Sequence, residues 1–133
     1  MKHRRWIVIL ILTLVSSHAL AQAHHDASVS STVPDSARFE VVQSPLLVRL
    51  TFLFDRYTGE TWQFVTTKAG GFAWEHVNRM PQPNDTKETG KVNYQIFLSG
   101  VRAQITLLVN TNTGVSWYVV EDPKNGVFWQ PME

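Results

Sequence analysis

The chain contains no cysteine. That excludes disulfides, thiolate nucleophiles, cysteine-based zinc sites and lipid anchoring through an N-terminal cysteine. A clustered basic face is also missing. Three of the twelve basic residues, Lys2, Arg4 and Arg5, sit at the extreme N-terminus, and without them nine face eleven acidic residues, a net charge of about −2. Nucleic-acid partners demand concentrated positive charge, so none is expected. No apolar run approaches the roughly 20 residues that cross a bilayer; the longest, Trp6 to Val15, has about half that. No stretch shows a helical apolar period either.

What is present at the N-terminus has the pattern of a secretory signal: a basic start, a short apolar run, then Ala19-Leu20-Ala21 as a small-x-small cleavage site. Cleavage is expected after Ala21, with Ala23 as the other candidate, which leaves no membrane span and places the protein in a periplasm or outside the cell. Residues 22–37, rich in Ala, Ser, His and Asp, read as a flexible tether. The folded domain is expected over 38–133, as repeat one (38–78), a turn-rich linker (79–91) and repeat two (92–133).

The repeat is the main signal. Laying 39–77 over 94–132, an offset of 55 without gaps, gives nine identities in 39 positions. Its centre is Asp55-Arg56-Tyr57-Thr58-Gly59-Glu60-Thr61-Trp62 in copy one and Asn110-Thr111-Asn112-Thr113-Gly114-Val115-Ser116-Trp117 in copy two. Asp or Asn accepts bonds from backbone amides just beyond it, and glycine takes positive φ without a steric penalty, so each motif predicts a hairpin turn. Period-two alternation from Leu46 to Asp55 and from Val101 to Asn110 predicts a long half-buried strand before each turn. Shorter strands are expected around Phe39–Val42, Thr61–Val65 and Phe72–Val77, with equivalents in copy two. The expected fold is all-β: two antiparallel four-stranded units, a tandem pseudo-two-fold repeat packed as a small sandwich or barrel.

Comparing the copies weighs the candidate residues. Asp55 becomes Asn110, which a turn cap tolerates and an acid–base carboxylate does not. Asp55, Thr58, Gly59, Asn110, Thr113 and Gly114 are therefore assigned to turns. Trp62, Trp74, Trp117 and Trp129 are assigned to the core or to hairpin clamping ahead of carbohydrate stacking. The domain has one histidine, His76, no metal-binding His pair, no phosphate loop and scattered carboxylates, so neither enzyme activity nor a cofactor is expected. The tip of hairpin one differs most between the copies, which makes Arg56, Tyr57 and Glu60 candidate contacts for a partner protein, with Arg49 on the strand before them. The leading expectation is a non-enzymatic interaction module, of inhibitor or immunity type, binding another periplasmic or secreted protein. The alternative is copper or nickel binding by the processed N-terminus, where a free amine and His24 or His25 offer square-planar nitrogen ligation.

The motif Asp/Asn-x-x-Thr-Gly followed by Trp on the returning strand, carried by Asp55, Thr58, Gly59 and Trp62 and again by Asn110, Thr113, Gly114 and Trp117, resembles the blade repeat of bacterial β-propellers of the quinoprotein type. Here Trp follows Gly by three residues rather than four, and only two copies are present where propellers carry four or more. The resemblance implies blade-like four-stranded units and brings no quinone site. The hairpin is also similar to that of small exported bacterial proteins.

Overall fold

The structure, a computed structural model, describes residues 33–133. The expected signal segment and the metal candidates His24 and His25 lie outside them. Eight strands and no helix are found among the described residues: β1 (Phe39–Gln43), β2 (Thr51–Asp55), β3 (Thr61–Thr66), β4 (Phe72–Arg79), β5 (Tyr94–Leu98), β6 (Thr106–Asn110), β7 (Ser116–Asp122) and β8 (Gly126–Pro131). They form one barrel-like sheet in the order β1-β2-β3-β4-β8-β7-β6-β5. Each copy is an antiparallel meander, and the copies join where β4 runs parallel to β8.

Strand register recurs at the sequence offset. Phe39 pairs with Asp55 and Tyr94 with Asn110; Leu53 pairs with Trp62 and Leu108 with Trp117; Phe64 pairs with Trp74 and Val119 with Trp129. Equivalent positions in the two copies make the turns. The Asp55 carboxylate accepts from the amides of Tyr57 and Thr58, and the Asn110 carbonyl accepts from Asn112 and Thr113. Gly59 and Gly114 follow with φ of 75° and 77°, each donating its amide to the backbone oxygen of that Asp or Asn.

The expected long strands are shorter than the alternation implied. Residues 44–50 and 99–105 form turns, because Ser44 accepts from the amides of Leu46 and Leu47, and Ser99 from Val101 and Arg102. Thr51 and Thr106 close these turns by donating to the Val48 and Ala103 carbonyls. Leu50 is thus turned into the core while Leu46 and Val48 face solvent.

The core lies between the two meanders. Val42, Phe52, Phe54 and Val77 of copy one pack with Tyr94, Leu108, Trp117 and Trp129 of copy two. The Phe52 and Trp129 rings lie 5.5 Å apart, and the Trp129 indole N–H donates to the buried Thr61 hydroxyl at 2.7 Å. These two lists come from opposite sides of the repeat. In the parallel join Arg79 lies beside Trp129, whose counterpart Trp74 is five residues before Arg79. Side chains alternate faces along a strand and paired residues share a face. An odd displacement therefore puts every residue of copy one on the opposite sheet face from its counterpart in copy two. The face that copy two buries is the face that copy one turns outward.

Candidate interaction surface

The residues expected at a partner contact are engaged within the chain. The Arg56 guanidinium donates to the Pro34 and Ala37 carbonyls at 3.2 and 3.1 Å and pairs with Glu40 at 3.6 Å. The Tyr57 hydroxyl donates to the Ser36 carbonyl, and the Arg38 guanidinium lies over the Tyr57 ring. Together they tie residues 34–38 to hairpin one. Glu60 pairs with His76 at 2.6 Å. Arg49 donates twice to Glu121, at 2.7 and 3.2 Å, which bridges the two copies across the rim. Arg49 and Glu60 remain solvent-exposed; Arg56 and Tyr57 are only partly so.

Asp55 is buried beneath hairpin one. Burial pushes its carboxyl up, but hydrogen bonds from Arg38, from the Tyr57 amide and from Thr58 more than offset this and hold its pKa below the ordinary carboxylate value. Asp55 is thereby a structural anion that serves the turn and the Arg38 ion pair.

Two groups invisible to sequence reasoning tie the copies together. Asn93 is fully buried and donates its amide to the carbonyls of Tyr57, Glu88 and Lys91, while Asn112 donates to its side-chain oxygen. Arg79, at the join, lies over the Tyr94 and Trp117 rings at 5.0 and 4.7 Å and pairs with Asp85 at 3.5 Å. The Tyr94 hydroxyl donates to the same Asp85 at 2.6 Å. Burial first, and that hydrogen bond second, push the Tyr94 phenol up to about 12 against the opposing charge of Arg79. Only the turn-rich composition of 79–91 hinted that this segment matters.

Beside the join is an open cleft of about 370 Å³ lined by Glu60, His76, Arg79, Asp85, Lys87 and Trp117 among others. Its charges are consumed by the Glu60–His76 and Arg79–Asp85 pairs, and Lys87 reaches the Thr58 carbonyl. No Ser, Thr or Cys stands among the described residues lining it.

The outer face of copy one is the least accounted-for surface. On β3 and β4, Phe64 stacks on Phe72 with centroids 5.1 Å apart and meets Trp74 edge-on at 5.4 Å. Phe72 is 70% exposed and Trp74 41%, whereas its counterpart Trp129 is 0% exposed. Of the two places expected for these residues, core or hairpin clamp, Trp117 and Trp129 take the core, whereas Trp62, half-buried against His76, and Trp74, edge-on to Phe64 at the surface, pack across the β3–β4 hairpin. The odd register at the join is the reason. Phe39 and Leu53 extend the same face across β1 and β2. No protein family, curated protein or solved structure matches the chain.

Proposed function

We propose that this is an exported, non-enzymatic interaction module that binds another polypeptide through the outer aromatic face of its first repeat. The observation carrying this reading is the Phe64–Phe72–Trp74 cluster, mutually packed yet exposed. Large aromatic side chains left on a surface offer contact area at low conformational cost, and an apolar patch of this kind marks an association site. The self-paired polar groups of the cleft favour binding over catalysis. A small β-domain with a rigid, aromatic face suits an inhibitor or immunity-type role toward a secreted protein. The N-terminal leader supports a periplasmic or secreted address.

A photoreactive side chain placed at Phe72, expressed in the protein's own host, tests this. Crosslinking to a polypeptide from position 72, and none from the exposed turn residue Lys124, is the expected result. Absence of any crosslink from position 72 sinks the reading.

A further inference from the structure

We propose that the occupant of this face is the second repeat of another copy of the same chain, giving a head-to-tail assembly. The inference rests on the interaction reading above and supplies its partner.

The β4–β8 join inverts the two copies relative to one another, so each buries the sheet face that the other turns outward. Inside the molecule, Val42, Phe52, Phe54 and Val77 of copy one cover Tyr94, Leu108, Trp117, Val119 and Trp129 of copy two. Shifting the first set by the offset of 55 gives Phe97, Leu107 and Val109, apolar and on the outer face of copy two, and Met132, apolar and exposed just beyond β8. Shifting the second set back gives Phe39, Leu53, Trp62, Phe64 and Trp74, again all apolar and all on the outer face of copy one. Both halves of the internal interface are therefore written a second time on the outside of the molecule.

The chemistry of the two outer faces agrees. Phe97 and Tyr118 are exposed on copy two as Phe72 and Trp74 are on copy one. Between these aromatics the strand positions carry Gln95, Ser116 and Gln130 on one face and Gln43, Thr66 and Asn78 on the other; the ionisable residues on these faces are Asp122 at the end of β7, and His76 and Asp55, which pair with Glu60 and Arg38. Asp122 keeps the Lys124 and Asn125 amides and the other two keep their partners, so the aromatic centres of the faces meet without leaving a charge unpaired. The contact continues the stacking already present between the copies, with one molecule's copy two seated on the next molecule's copy one. Such an interface joins two different patches, so it is heterologous and builds a closed ring or a chain of molecules according to its rotation.

One element of the internal interface cannot be repeated. β4 and β8 are already flanked by neighbouring strands on both edges, so the backbone pairing at Asn78 and Arg79 has no intermolecular equivalent. The external contact rests on side chains alone. It is weaker than the internal one, and assembly depends on concentration.

The test uses purified protein, sedimentation velocity and two variants. One carries Phe72→Glu and Trp74→Glu, the other Phe97→Glu and Tyr118→Glu; both alter exposed positions and are expected to keep the wild-type unfolding midpoint. Where Trp74→Glu lowers that midpoint, Phe72→Glu alone replaces the first variant. Wild type is expected to gain mass above the monomer as concentration rises. Each variant alone stays monomeric, and an equimolar mixture of the two forms a one-to-one dimer and nothing larger, since each supplies the face the other lacks. The proposal is overturned by a wild type that remains monomeric throughout, by a variant that self-associates alone, or by a mixture that stays monomeric. A monomeric wild type that still crosslinks from position 72 to a foreign polypeptide overturns the assembly while leaving the interaction surface standing. No crosslink of any kind removes both.

Discussion

Gly59 and Gly114 hold the same place in the same turn, yet their surroundings separate them. Both need positive φ, which costs a residue with a Cβ about 1 kcal/mol. At Gly114 an added Cβ meets open space, whereas at Gly59 it would stand 2.4 Å from Arg79 Nη1 and 2.9 Å from the Tyr94 ring. Arg79 cannot simply swing aside, because it is held between the Tyr94 and Trp117 rings and Asp85. Gly114→Ala is therefore expected to cost about 1 kcal/mol and Gly59→Ala about 3 kcal/mol, the difference being overpacking. Urea unfolding of both variants at unchanged slope measures it.

Asp55 and Asn110 form a second natural pair. Either side chain caps its turn, so Asp55→Asn keeps the hairpin and loses the Arg38 ion pair. Because Arg38 is more than half exposed, the neutral-pH cost is about 1 kcal/mol or less. The pH dependence has a defined sign. The folded carboxyl pKa lies below the unfolded value of about 3.9, so its stabilisation is present above that value and is lost as pH falls through the folded pKa. Thermal unfolding between neutral pH and pH about 3 should show a steeper acid loss for wild type than for Asp55→Asn. Equal slopes would mean that the ion pair contributes nothing to folding.

Among the elements, the repeat and its turns were legible in the sequence because their determinants are local. Ser44 and Ser99, Thr51 and Thr106, and the Asp/Asn-x-x-Thr-Gly motifs act on backbone groups a few residues away. The alternation through Leu46–Leu50 misled because apolar periodicity cannot register a serine hydroxyl capping two amides. Which face each meander buries was not legible at all. That choice is made by two residue pairs between β4 and β8, and a displacement of one residue there would exchange the faces. The same blindness hid Asn93 and Arg79, whose roles depend on partners from both copies. It also left Trp74 and Trp129 looking alike. Trp129→Ala removes a fully buried indole and its bond to Thr61, and is expected to cost about 3–5 kcal/mol. Trp74→Ala removes a surface ring that packs on Phe64, and should cost about 1 kcal/mol or less in the monomer. Comparable losses in chemical denaturation would contradict the face assignment.

For the whole molecule, two near-copies stacked with the same sense of direction leave one used and one unused version of each face. A two-unit stack has open ends by construction, and here both ends are apolar. The proposed association uses these open ends. Function is therefore sought on the sheet faces rather than at the hairpin tip, where Arg56 and Tyr57 hold the chain's own residues 34–38.

Equivalent faces of the two repeats are buried in one and bare in the other, and hydroxyl-radical footprinting of dilute wild-type protein, read out by mass spectrometry, measures this residue by residue. Rapid labelling of Phe72 and Trp74 and protection of Trp117 and Trp129 are expected, with Trp74 becoming protected as concentration rises. Labelling of Trp129 at the rate of Trp74 would show that the two repeats present the same face to water, and would contradict the account.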